Sequence, residues 1–348
     1  MKILGIESSC DETAASVVED GRVLLSNVVN SQIDIHKLYG GVVPEVAARS
    51  HIEVINPVIN QALTDANLTW DDIDGIAVTY APGLIGSLLV GTLAARTLAI
   101  LKNKPLYPIH HVEAHVYANF LNKNPPEFPM LALIVSGGHT QLVLFRDHGD
   151  YELLGQTQDD AVGEAFDKVA KIIGLLYPGG PSIAKAALDG DQDAYKLPKA
   201  KMSGTYDFSF SGLKTAVLRA VQREVGVDIS FPSHDLPALL NDVQRANFAA
   251  SFQHTAVETL VDATQKAYQE YSPKSVVIAG GVAANLELRK ALSKRLPLHI
   301  DYAPIELCTD NGAMVATLGY YYASKKEPID PYKLEVIPSL SMTKTAWA

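Results

Sequence analysis

One arrangement of strands, turns and helices is written into this chain twice. Residues 2–6 read as an apolar strand, followed by the small polar turn Glu7-Ser8-Ser9-Cys10-Asp11-Glu12-Thr13, a strand at 14–18, an Asp20-Gly21 turn and a strand at 23–29. Residues 131–135 begin the same series again: the turn Ser136-Gly137-Gly138-His139-Thr140, a strand at 141–145, the turn His148-Gly149-Asp150 and a strand at 151–154. Further on, a strand at 75–79 runs into Ala81-Pro82-Gly83 and a helix, as 275–278 runs into Ala279-Gly280-Gly281-Val282 and a helix. A strand at 106–109 precedes His110-His111-Val112-Glu113-Ala114-His115, as one at 298–302 precedes Pro304 and the run from Cys308 to Met314. The duplication predicts an α/β fold of two βββαβαβα halves. Such halves face each other across a cleft at the carboxyl ends of their strands, where open α/β sheets bind ligands. The expected boundaries are 1–128 and 129–324, with an irregular insertion at 191–240 and a polar, peripheral tail at 325–348.

The length of 348 residues suits about two domains, and the 47% hydrophobic content suits sizeable cores. Two cysteines, Cys10 and Cys308, cannot make a disulfide framework. The first residues read straight into a strand without the regions of a signal peptide, so a cytoplasmic protein is expected. Residues 83–101 are nearly all apolar. Arg96 and the many small residues there predict a buried helix and no membrane partner.

The net charge of −10 repels nucleic acid, so an RNA substrate would need a local basic patch or a basic partner. Lys196, Lys199, Lys201, Lys214, Arg219 and Arg223, interleaved with Tyr195, Tyr206, Phe208 and Phe210, make a candidate patch; a solvated loop and helix face is the competing reading. His36, Lys37, Tyr39 and Arg49, around Gly40-Gly41, face either a substrate or solvent.

His111 and His115 are spaced i and i+4, which puts two imidazoles on one helical face where they can share a metal ion or form a plain polar face. The glutamate of HExxH directly follows its first histidine; here Glu113 lies one position further on, so the protease motif is absent. Asp310 begins the matching helix of the second half, and the duplication places it across the cleft as a third ligand, unless it only caps its helix. The backbone of Ser136-Gly137-Gly138 offers an oxyanion cradle. Asp11 and Glu12 in the corresponding first turn are either reserved for chemistry or simply exposed. Gly179-Gly180-Pro181 and Gly280-Gly281 admit a base or ribose against bare backbone, or are ordinary turns.

Taken together, the turn from Glu7 to Thr13, Tyr39-Gly40-Gly41-Val42-Val43-Pro44-Glu45, His111-Val112-Glu113-Ala114-His115, Val135-Ser136-Gly137-Gly138-His139-Thr140, Pro178-Gly179-Gly180-Pro181, Gly280-Gly281-Val282 with Asn285, and Thr309-Asp310-Asn311-Gly312 stand in the order of one family. Over nearly its whole length the chain resembles the bacterial tRNA N6-adenosine threonylcarbamoyltransferases, which have the actin and hexokinase type (ASKHA, ribonuclease H-like) fold. The resemblance implies transfer of a threonylcarbamoyl group from threonylcarbamoyl-AMP to N6 of the adenosine next to the anticodon in tRNAs reading ANN codons. It implies a divalent metal, Fe2+ with Zn2+ or Mn2+ as alternatives, held by His111, His115 and Asp310. It also implies substrate contacts from Ile134, Val135, Ser136, Gly137, Gly138, Asp167, Gly180 and Asn285, with Asp11 and Glu12 near the reacting centre. The implied partners are tRNA, a shortened paralogous subunit and a small ATPase. Ala184 stands where the family commonly has an acidic residue, which puts a ribose contact there in doubt.

Three rivals come from other classes. A metalloprotease conflicts with the position of Glu113. A non-catalytic ATP-binding module of the same fold has no need of two histidines and an aspartate, and a sugar or acetate kinase conflicts with the acidic first turn.

Overall fold

Among the described residues, 1–343 of a computed structural model, nine strands form two sheets of corresponding order. The first sheet runs β3-β2-β1-β4-β5, from β1 (Lys2–Glu7), β2 (Glu12–Glu19), β3 (Val23–Ser31), β4 (Gly75–Ala81) and β5 (Leu106–His110). The second runs β8-β7-β6-β9, from β6 (Met130–Val135), β7 (Thr140–Asp147), β8 (Asp150–Gln156) and β9 (Ser275–Ala279). β1 pairs antiparallel with β2 and parallel with β4, and β6 pairs parallel with β9 in the same way. The expected duplication is present.

One expected strand is missing. Residues 298–302 are irregular, so the second sheet has no counterpart of β5. Pro297 and Pro304 bracket the segment and have no N–H to give to a ladder.

The helices are α1 (Ile33–Lys37), α2 (Pro44–Asp65), α3 (Ile85–Lys102), α4 (His111–Tyr117), α5 (Val162–Ile173), α6 (Gly179–Ala187), α7 (Ser211–Glu224), α8 (Asp242–Tyr271), α9 (Leu286–Arg295) and α10 (Gly312–Ala323). The two-residue period of β1 sends Leu4 and Ile6 into a core with Ile55, Ile59 and Ala62 of α2 and Ala95 of α3. The alternate residues meet α10. A Cβ on Gly5 would stand 2.3 Å from the Gly312 carbonyl oxygen and 2.4 Å from the Ala316 nitrogen, and one on Gly319 would stand 2.4 Å from the Ala77 Cβ. The glycines thus let α10 lie directly on the sheet.

That approach decides the domain boundary. The chain forms two compact units: Met1–Glu127, Phe145–Glu152 and the described residues from Asp301 onward in the first, Phe128–Leu144 and Leu153–Ile300 in the second. Residues 301–324, expected in the second half, belong to the first because α10 packs on its sheet. Nor is the described part of the tail, 325–343, peripheral; residues 344–348 lie outside the described residues. Leu334 is buried in the first core, the Ile329 N–H donates to the Leu106 carbonyl, and the Ile337 N–H donates to the Tyr80 carbonyl.

α3 is long and apolar enough to cross a membrane by length and composition. Contrary to the expectation of a buried helix, only one face is covered: Ser87, Leu88, Gly91, Thr92, Ala95 and Ala99 are buried, while Ile85, Leu93 and Leu101 are exposed. Gly91 is needed because a Cβ there would stand 2.2 Å from the Ser8 hydroxyl.

Candidate functional site

The end of β5 and the turn before α10 converge within the first unit. His111 opens α4 directly after β5, so the strand aims the first turn of the helix. Asn311 is the N-cap of α10: its side chain accepts the Met314 N–H at 2.9 Å and donates to the carbonyls of Leu307 at 3.1 Å and Thr309 at 2.7 Å. Asn311 therefore does the capping, and the reading of Asp310 as a mere cap is set aside. Asp310 is held just outside the helix. Its Oδ1 lies 3.2 Å from His115 Nε2 and 3.7 Å from His111 Nε2.

Ligand atoms of His111, His115 and Asp310 all lie within 4.8 Å of one another. Ligands about 2.1 Å from a tetrahedral metal stand roughly 3.4 Å apart, so both contacts with Asp310 are close to ligand spacing. His115 is buried, yet neither ring nitrogen makes a hydrogen bond. Apart from the approach of Asp310, the ring is unsatisfied, and a buried imidazole that makes no hydrogen bond is expensive unless something else takes its lone pair. The residues fit a divalent metal. Asp310 was expected from across an interdomain cleft, but it belongs to the same compact unit as the histidines.

Glu7, at the end of β1, is a contact of His111 that sequence reasoning left unassigned. It is fully buried and accepts hydrogen bonds from the Ser9 N–H at 2.6 Å and the Thr79 hydroxyl at 2.5 Å, and His111 Nδ1 lies 3.2 Å away. Ser9 Oγ also reaches His111 Nδ1, at 3.1 Å. With Nδ1 engaged by these groups, Nε2 of His111 is turned toward Asp310. Burial alone would push the Glu7 carboxyl up, but the charge and hydrogen bond of His111 outweigh it and hold the carboxyl below its usual range. Burial likewise opposes charge on His111, while Asp310 and Glu7 push its pKa up to about 9 in the metal-free protein. The signal in sequence was a carboxylate at the inward end of an apolar strand.

Asp11 and Glu12 lie in the same unit. Burial, then the charges of Asp310 and Asp11, push Glu12 up to about 9, while a 3.0 Å hydrogen bond from Ser31 works the other way. The acidic turn is thus within electrostatic reach of the His/His/Asp cluster.

The TsaD family model, tRNA N6-adenosine threonylcarbamoyltransferase, matches residues 23–317. The chain belongs to the TsaD family. It is 52% identical over 345 residues to the tRNA N6-adenosine threonylcarbamoyltransferase of Symbiobacterium thermophilum, covering 98% of this chain and 96% of that one. It is 53% identical over 344 residues to the protein of the same name from Dehalococcoides mccartyi, covering 99% and 100%. Among solved structures, HypF of T. kodakarensis matches with a TM-score of 0.63 at 15% identity over 93% of this chain and 48% of that one; this likeness shows the fold alone.

The residues that the TsaD resemblance assigns to an adenylate lie in the second unit. Ile134 and Val135 are fully buried on β6, and Ile134 pairs with Ala279 of β9. The Ser136 N–H donates to the His139 carbonyl at 2.8 Å and Ser136 Oγ accepts the His139 N–H at 3.1 Å, which closes a tight loop. Gly137 and Gly138 stand open, with nothing within 4 Å of an added Cβ. Asp167 Oδ1 accepts the Gly179 N–H at 2.6 Å, and Asn285 caps α9 by accepting the Leu288 N–H at 3.0 Å while donating to Gln253 Oε1 at 2.8 Å. Both side chains therefore have structural work.

The two Gly-Gly pairs divide their roles. A Cβ on Gly179 would stand 2.5 Å from the Asp167 Cα, and one on Gly280, at φ +90°, would stand 2.5 Å from the Val135 carbonyl oxygen. Gly180 and Gly281 have nothing within 4 Å. The first glycine of each pair serves packing and the second is bare toward the open side.

The candidate RNA patch is not borne out as drawn. Phe208 and Phe210 are buried and Tyr206 is 5% exposed, so these rings are core rather than platforms for bases, while the half-buried Tyr195 already stacks on Phe248 with centroids 3.7 Å apart. Lys199 pairs with Asp262 at 2.6 Å and Lys214 with Asp160 at 3.2 Å. His36 is also internal, with Nε2 3.1 Å from Gln32 Oε1 and Nδ1 accepting the Val43 N–H at 3.3 Å.

Proposed function

We propose that the chain transfers the threonylcarbamoyl group of threonylcarbamoyl-AMP to N6 of the adenosine next to the anticodon in tRNAs reading ANN codons, with His111, His115 and Asp310 holding a divalent metal. The observation that carries the reading is the convergence of these three side chains, within 4.8 Å, in a chain that belongs to the TsaD family. Fe2+ is the preferred ion, with Zn2+ and Mn2+ as alternatives of the same ligand chemistry. Bound there, the ion supplies Lewis acidity to the carbamoyl group.

The donor is a mixed anhydride. The N6 amine attacks its carbamoyl carbon, the C–N bond forms, the bond from that carbon to the phosphate oxygen breaks, and AMP leaves with the electron pair. The N6 proton goes to a carboxylate of the acidic turn. Asp11 and Glu12 are the two carboxylates of that turn, and either accepts it. The open backbone at Gly137 and Gly138 suits the departing phosphate, and bare Gly180 and Gly281 suit the adenosine moiety. An exocyclic amine is a weak nucleophile, so positioning carries much of the rate.

The net charge of −10 and the internal pairing of Lys199 and Lys214 support a basic contribution to tRNA binding from elsewhere. A shortened paralogue and a small ATPase are the partners we assign. The test is nucleoside mass spectrometry of tRNA from cells depleted of the protein and supplied with wild-type or His111→Ala copies. Restoration of threonylcarbamoyladenosine by the wild type alone is expected; undiminished modification in depleted cells that hold no second copy of the enzyme would overturn the assignment.

A further inference from the structure

Glu113 lies between the two metal-site histidines in sequence, but its carboxyl turns into the protein. It is fully buried, and its Oε2 accepts a 2.7 Å hydrogen bond from the Tyr322 hydroxyl. Its Oε1 makes no hydrogen bond. Burying a carboxyl with one oxygen unsatisfied is costly, and an apolar side chain would fill such space without that cost. Its one hydrogen bond comes from Tyr322, and the charge of Lys326 acts in the same direction.

Tyr322 stands near the end of α10, and Asp310 immediately precedes the Asn311 cap at its beginning. α4 and α10 pack against each other, so the two helices are tied at two places. One tie is Asp310 against His111 and His115; the other is Tyr322 against Glu113, about three helical turns along α10. Lys326 Nζ lies over the Tyr322 ring, 4.2 Å from its centroid. Two separated ties fix both the spacing and the crossing of a helix pair, whereas one leaves a pivot.

We propose that the Glu113–Tyr322 hydrogen bond is a positioning clamp for the metal centre, holding α4 and α10 at the crossing that brings His111, His115 and Asp310 to ligand spacing. The clamp rests on reading those three residues as metal ligands. Glu113 and Tyr322 touch neither the metal nor the substrate; they act through the helices that carry the ligands.

The test is a Co2+ titration of the full-length chain, followed by the visible absorption of the bound ion, for wild type, Tyr322→Phe, Glu113→Gln, the double variant and His111→Ala. Tyr322→Phe is expected to bind Co2+ about tenfold more weakly, with an altered absorption band, at unchanged helical content. Glu113→Gln keeps an oxygen that accepts from Tyr322 and retains the wild-type spectrum, and the double variant is no weaker than Tyr322→Phe alone. Should Tyr322→Phe fail to fold, Glu113→Met against Glu113→Gln gives the same comparison. Wild-type affinity and spectrum in the variants that lack the bond would overturn the clamp while leaving the ligands in place. Wild-type binding no tighter than that of His111→Ala would overturn the ligand assignment and the clamp with it.

Discussion

His111 Nδ1 lies 3.2 Å from a Glu7 carboxylate oxygen that is itself fixed by the Thr79 hydroxyl. This pair joins the end of the first strand to the first turn of the histidine helix and orients Nε2 toward Asp310. Glu7→Gln retains the shape but removes the charge, so metal affinity is expected to fall between about tenfold and a hundredfold. Titrating the purified variant with Co2+ measures this, and wild-type affinity would remove Glu7 from the centre.

The glycines of the second unit separate packing from access. Gly280→Ala meets the Val135 carbonyl and a left-handed backbone, so a loss of about 2 kcal/mol or more in unfolding free energy is expected. Gly281→Ala meets nothing within 4 Å and should change stability by less than about 0.5 kcal/mol. If Gly281 also borders the adenosine, transfer activity in that variant falls while its urea midpoint stays. Equal midpoints for Gly280→Ala and Gly281→Ala would contradict the division of roles.

Acid sensitivity follows from His110. Burial, opposed in part by its 3.2 Å contact with the Leu340 carbonyl, pushes its pKa from 6.5 down to about 4, and its Nδ1 is buried without a hydrogen bond. The unfolded chain therefore binds the proton more readily than the folded one. Its contribution to stability is complete above about pH 6.5 and is lost as pH falls toward 4, on the order of 3 kcal/mol in all. Urea unfolding from pH 7.5 to 4.5 should show the decline, and His110→Asn should flatten it.

Leu334 tests whether the segment after α10 is part of the first unit. It is 3% exposed in a core shared with Leu106 and Tyr80. Leu334→Ala should cost about 3 kcal/mol, read from the denaturant midpoint, whereas a peripheral tail would tolerate the change.

Much of this protein was legible from residue patterns because those patterns are local. Apolar runs separated by turn residues located the nine observed strands along the chain, though they also suggested one at 298–302 that is irregular, and the i, i+4 spacing placed His111 and His115 on one face of α4. Motif order carried the family resemblance for the same reason: each motif is a short stretch whose neighbours define it.

The long-range assignments depended on how closely two backbones approach. Symmetry of the duplication put Asp310 with the second half; the glycines at 5, 312 and 319 instead seat α10 on the first sheet, and Asp310 comes with it. The acid at the end of β1 has no local mark that ties it to a histidine 104 positions away. The aromatic residues at 206, 208 and 210 sit among lysines in sequence, yet their rings are buried while Lys199 and Lys214 pair outward with carboxylates. The sequence by itself determined the succession of strands along the chain, the helical histidine pair and the family; only the tertiary structure decided which unit holds Asp310 and which carboxylate lies against His111, because both depend on contacts between distant segments that no local spacing records.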